Sequence, residues 1–199
     1  MKTWSKKMLS LLLCVWMLIA LAVPAMAYGG IDTSHKANLT LMYRFDDNGT
    51  KIPIPNAEFR VYKVANVTVS GGFVPVAPFS GYSLKLDGKT AEEWNKIATE
   101  LSGYATSGKA TAVASGKTDE NGTLSLKELA TGLYLVAGEK CVYNKYTYTP
   151  VPAVIMLPGA NAAKDEWVYD VSVSLKMERK AVPEEPAKTV SRKVLKKWE

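Results

Sequence analysis

The sequence predicts an all-β fold, a sandwich of Ig-like topology with about seven strands and one inserted amphipathic helix. Three observations carry that expectation. Short apolar runs alternate with polar residues at period two, clusters of Gly, Asp, Asn and Pro separate them, and a single stretch has helical spacing.

From Asn38 to Phe45, the residues Leu39, Leu41, Tyr43 and Phe45 share one face and Asn38, Thr40, Met42 and Arg44 the other, which predicts a half-buried strand. Asp46-Asp47-Asn48-Gly49 then supplies a turn, because Asn and Gly tolerate positive φ and Asp closes local backbone bonds. Ile52-Pro53-Ile54-Pro55-Asn56 reads as an irregular connection, since two prolines remove ladder donors. A second strand follows over 57–64, with Ala57, Phe59 and Val61 on one side. The Gly-, Pro- and Ser-rich stretch 73–86 reads as loop bearing a short edge strand.

Thr90-Ala91-Glu92-Glu93 is a capping box, and Trp94, Ile97, Ala98 and Leu101 recur at i, i+3, i+4 and i+7. The spacing predicts a helix ending near Gly103 that lies against the sheet edge or over one sandwich face. Its polar side carries more Glu than Lys, which argues against a membrane surface. Lys117 to Leu126 reads as a hairpin around Asn121-Gly122. The strands at 132–136, 146–157 and 167–176 complete the set. In the last, Trp167, Tyr169, Val171, Val173 and Leu175 face the core, while Asp170, Ser172, Ser174 and Lys176 face water.

The 199 residues and 47% hydrophobic content suit one domain with flanking segments. Residues 1–27 have the pattern of a signal peptide: Lys2, Lys6 and Lys7, an apolar run from Met8, then Ala25-Met26-Ala27. Those three lysines supply half of the net charge of +6, and most of the other excess lies in the C-terminal segment, so nucleic-acid binding has little support. Cys14 leaves with the leader, and Cys141 alone supports neither an internal disulfide nor a cysteine-ligated metal. No second apolar run of spanning length follows, so no membrane contact is expected after cleavage.

Catalysis is hard to build from these residues. The one histidine, His35, lies in a polar segment beside Ser34 and Lys36 and is read as solvated, and no nucleophile-elbow pattern accompanies any serine. The chain is therefore expected to be no enzyme and to need no cofactor or metal. Leu157-Pro158-Gly159-Ala160-Asn161 is read as a strand end and turn rather than a sorting signal.

Trp167, Val171, Val173 and Lys176 match the Trp-x-x-x-Val-x-Val-x-Pro-Lys pilin motif, with Leu175 in place of Pro. The upstream Gly-Leu-Tyr-Leu-Val at 132–136, the run Tyr146-x-Tyr148-x-Pro150-x-Pro152 and Met156-Leu157-Pro158 resemble the same pilins' N-terminal domains. The chain thus resembles sortase-assembled Gram-positive pilins. The strand, Asp/Gly turn, Pro-bearing link and Ala-Glu-Phe-Arg-Val-Tyr-Lys-Val at 57–64 resemble the opening of Cna protein B-type and SpaA-like prealbumin-fold domains.

This resemblance implies a secreted cell-wall or surface subunit, a pilin or adhesin, that is a substrate of sortase and a partner of other pilin subunits. It implies Lys176 as the amine that sortase joins to the next subunit, although the position also suits an ordinary strand-end lysine. It further raises an internal Lys-Asn isopeptide bond, but Tyr43 and Gly138 stand at the reactive lysine and acid positions, with Glu139 one residue off register. No such bond is expected. A second reading keeps the fold but makes it a non-polymerised module binding host matrix protein or glycan through the insertion at 80–116, with Tyr82, Trp94 or Tyr104 exposed.

The expected organisation is a signal peptide (1–27), a flexible N-terminal segment (28–36), the sandwich (37–180), a Pro/Glu linker (181–188) and the start of a further Cna-B domain at 189–199. The chain would then be a fragment of a longer subunit.

Overall fold

The computed structural model describes residues 29–81, 90–161 and 166–183. The expectations for the leader at 1–27, for Tyr82, for the linker beyond Pro183 and for the segment 189–199 fall outside the described residues.

The chain opens with β1 (Lys36–Met42), β2 (Arg44–Asp47), β3 (Thr50–Pro53) and β4 (Glu58–Val67). β5 (Phe73–Pro75) and a 3-10 turn at Phe79–Gly81 precede α1 (Ala91–Tyr104), and a π turn at Ala105–Lys109 ends it. Next come β6 (Ala114–Lys117), β7 (Thr123–Ala130), β8 (Gly132–Gly138) and β9 (Cys141–Tyr143). β10 (Tyr146–Pro150), β11 (Ala153–Leu157) and β12 (Gly159–Ala160) follow, then β13 (Trp167–Val168), β14 (Asp170–Ser174) and β15 (Met177–Ala181).

The result is an Ig-like β-sandwich with one helix. One wall is the five-stranded sheet β11-β8-β4-β5, with β6 also on β4; the other combines β14-β1-β7 and β15-β10-β9. Two short ribbons, β2-β3 and β12-β13, complete the pairing and take the strand number above the expected seven.

Between the walls lies the main core, in which Leu39 and Leu41 meet Phe59, Val61, Leu124, Leu126, Tyr134, Val136 and Tyr148. A second core forms on the outer side of the five-stranded sheet, where Tyr62, Val64, Leu133 and Leu135 pack against Ala98 and Leu101 of α1. This explains why β8 is buried at every position from Gly132 to Ala137 rather than alternating: one face meets the opposite sheet and the other meets the helix.

The capping box forms, with Glu93 N–H donating to Thr90 Oγ1 (3.3 Å) and Thr90 N–H to Glu93 Oε2 (2.9 Å). The helix does not stop at Gly103. Ala105 is buried in the second core, so packing carries the coil past the glycine, and the turn ends only where Gly108 adopts φ +81°.

The expected hairpin at Asn121-Gly122 requires correction. The turn itself is present, closed by Asp119 N–H to Thr123 O (2.9 Å) and Gly122 N–H to Asp119 O (2.9 Å). Its arms part, however: β6 joins β4 and β7 joins β1, so the turn links the two walls of the sandwich. Buried Thr118 diverts the first arm, accepting from Ala57 N–H (2.9 Å) and donating to Ile54 O (2.7 Å). The link at 52–56 is also more regular than its prolines suggested, because Pro53 sits at the end of β3, where a lost donor costs no further ladder bond.

Residues 29–35, expected to be flexible, are held along the fold. Ile31 is buried, its N–H donates to Val69 O (2.8 Å), and Thr131 Oγ1 donates to Thr33 O (3.2 Å).

Candidate functional site

The final strand path displays the lysine of interest. Val171 and Val173 are half-buried and Leu175 buried, while Asp170, Ser172, Ser174 and Lys176 are exposed, as period two requires. β14 runs parallel to β1, from Asn38 opposite Asp170 to Met42 opposite Ser174. Leu175 N–H then donates to Met42 O (2.9 Å), and Lys176 O accepts from Val151 N–H (2.9 Å). Consecutive residues of an extended chain offer their polar groups to opposite sides, so Leu175 and Lys176 hand the chain from one three-stranded sheet to the other. Five residues of β15 follow before any linker, so Lys176 lies at a crossover inside the sandwich edge rather than just before the linker.

The crossover fixes the backbone under Lys176 on both sides and leaves its side chain in water. None of the ion pairs among the described residues involves it. Leu175 gives a physical account of the departure from the motif: a proline there has no N–H to give Met42, whereas leucine makes that bond and buries its side chain.

Trp167 is half-buried and stands outside the main core, because the path breaks at Tyr169. β13 pairs with β12, whereas β14 pairs with β1. The indole N–H of Trp167 donates to Gly29 O (2.7 Å), and Tyr169 Oη accepts from Asp32 N–H (2.9 Å). His35 is exposed, as the sequence suggested, and its ring makes a tilted contact with the Tyr169 ring, centroids 4.3 Å apart. These aromatic residues therefore fasten the segment 29–35 to the start of the last strand.

Tyr43 and Gly138 converge on one ring. Tyr43 is fully buried, its ring 5.1 Å from that of Phe59 in a T-shaped contact. Gly138 pairs opposite Phe59, and a Cβ on it would lie 2.5 Å from Phe59 Cε1. The phenol of Tyr43 has no hydrogen-bond partner, and burial, reinforced by Cys141 and Tyr148, pushes its ionisation above the ordinary tyrosine value. Glu139, the acid one residue off register, is exposed and pairs with Arg60 (2.8 Å). Thr118 and Thr131 are the buried polar residues among those described, so neither a lysine nor a carboxylate there is fully enclosed.

One feature had no local signature in the sequence. The Arg179 guanidinium lies 3.9 Å from the Phe45 ring centroid and 4.5 Å from that of Tyr146, and 3.7 Å from Asp47. It clamps β15 to the β2-β3 ribbon. Its partners lie far apart in the chain, and only the register of β15 on β10 brings them together.

No family model matches the chain, and no curated protein matches it. Among solved structures it is similar to the major pilin SpaD of Corynebacterium diphtheriae, at 21% identity and TM-score 0.44, over 75% of this chain and 31% of that one. It is similar also to the shaft pilin SpaA of Lactobacillus rhamnosus GG, at 16% identity and TM-score 0.44, over 74% of this chain and 51% of that one. A third similar structure is the minor pilin GBS52 of Streptococcus agalactiae, at 18% identity and TM-score 0.38, over 76% and 48%. The chain thus spans about a third to a half of the length of these proteins.

Proposed function

We propose that this chain is an exported structural subunit of a Gram-positive cell surface, a pilin or adhesin component, and that Lys176 is the amine through which sortase links it to another subunit. The observation that carries the reading is the geometry of Lys176: an exposed, unpaired amine on a backbone tied to both neighbouring strands. Acyl transfer to an amine needs a nucleophile that an enzyme can reach, carried on a backbone that holds its position. Trp167, Val171 and Val173 act as framework in this reading: the two valines set the register on β1 that turns Lys176 outward, and Trp167 fastens the segment 29–35 to the start of the strand path. The protein is a substrate and not a catalyst, placed in the cell wall or released outside it.

The test is covalent assembly in the source cells. Lys176→Ala is expected to abolish the ladder of high-mass species on a denaturing gel while leaving the monomer folded and exported. An unchanged ladder would remove Lys176 from the mechanism.

The matrix- or glycan-binding reading called for exposed aromatics on the insertion. Trp94 and Tyr104 are instead half-buried and packed against the second core, so the described part of the insertion does not favour it. No helix among the described residues is long and apolar enough to cross a membrane.

A further inference from the structure

Where the chain leaves β15, the end of the sandwich carries an open groove of about 590 Å³, and Pro183 forms part of its wall. The β9-β10 hairpin supplies most of the rest. Tyr143 pairs with Tyr146 across a two-residue turn at Asn144 (φ +46°) and Lys145 (φ +64°), and Lys145 O accepts from Val182 N–H (2.9 Å). Thr147 stands opposite both Val142 and Lys180, so these three share the outward face of the sheet.

Two properties mark this end of the molecule. Val142 and Val182 are two of the five large apolar side chains left exposed among the described residues, and the groove holds both. Lys145 lines it and Lys180 stands on the same sheet face, and none of the ion pairs among the described residues involves either. The complement of such a groove is a segment with apolar side chains and negative charge. The chain supplies one itself: Glu184-Glu185-Pro186-Ala187-Lys188-Thr189-Val190 follows directly on Pro183. β9 and β15 lie two strand spacings apart, about 10 Å, and seven extended residues reach about 23 Å, so the segment can turn at the groove wall and cross to Val142. Tethered at that wall, it meets the groove at an effective concentration in roughly the millimolar range, an advantage no separate partner has.

We propose that residues 184–190 fold back over this groove, with Glu184 and Glu185 facing Lys145 and Lys180 and with Pro186 and Val190 covering Val142 and Val182. The groove is then a seat for the continuing chain, which leaves the sandwich in a fixed direction instead of as a free tether. The apolar contact holds the segment, and the two acids set its direction across the hairpin. This seat does not depend on the linkage at Lys176 or on the pilin reading.

The experiment is limited trypsin digestion of the full chain, with cleavage after Lys188 timed by mass spectrometry and a synthetic peptide of residues 181–199 as the unseated reference. A protease cuts there only when the segment leaves the groove, so the bond is expected to be cleaved at least about tenfold more slowly in the protein than in the peptide. Val142→Asp should return cleavage to the peptide's rate, and because Val142 is exposed the melting temperature should stay where it was. Glu184→Gln combined with Glu185→Gln, two changes outside the sandwich, should speed cleavage several-fold. Cleavage of the unaltered chain at the peptide's rate overturns the proposal, as does protection that survives Val142→Asp. Protection that grows with protein concentration also overturns it, since a second copy would then fill the groove.

Discussion

Tyr43 carries a hydroxyl in a place that gives it nothing to bond, walled by Phe59 and neighbours of the main core. An unsatisfied buried hydroxyl costs about 1–3 kcal/mol, so Tyr43→Phe should leave thermal stability unchanged or raise it. A clear fall in the melting temperature would mean that the hydroxyl has a partner. Tyr134 is bonded, yet its ionisation is also pushed up, to about 12 from 10.0. A phenol whose folded value is raised stabilises the fold fully below the unfolded value and loses that contribution as pH climbs towards the folded one. Stability should therefore fall between roughly pH 10 and pH 12, read as a melting temperature that drops across that window. A melting temperature that falls from pH 10 to pH 12 would bear this out, whereas one that stays level across the window would not.

At the scale of elements, Thr118 and Arg179 are the joints. Thr118→Val removes a hydroxyl that bonds Ala57 N–H and Ile54 O in a buried site, and should cost about 1–3 kcal/mol, read as a lower urea midpoint at unchanged slope. Arg179→Met should cost about 1–2 kcal/mol, mostly through the lost stacking on Phe45 and Tyr146, because a half-exposed pair with Asp47 contributes little. If high salt alone reproduced the loss, the ion pair and not the aromatic contact would be the cause. Period-two patterning made β1, β4 and β14 legible, and the capping box announced the start of α1. Where sequence reading fell short, distant contacts decided: Ala105 drew the helix past Gly103, Thr118 split the expected hairpin, and the change of partner at Tyr169, from β12 to β1, cut the expected strand at 167–176 in two. The outward lysine could be read from alternation alone, but its position at a crossover could not, since that depends on Met42 and Val151.

Across the whole molecule, the proposed linkage at Lys176 also bears on the expectation that the domain carries no internal cross-link. Tension entering through that side chain and leaving along the chain beyond Ala181 would pass through β15, already extended, and would leave residues 29–175 unloaded. A sandwich so placed has no need of a covalent brace, and Tyr43 and Gly138 offer neither an amine nor an acid for one. Intact mass of residues 28–183 should accordingly match the sequence, without the loss of about 17 Da that amide formation with release of ammonia would bring. The most direct test of the central claim is the covalent junction itself, located by mass spectrometry of peptides from the assembled surface fraction. The account predicts a branched peptide joined through Nζ of Lys176. A branch on another lysine, or an assembly with Lys176 unmodified throughout, would contradict it.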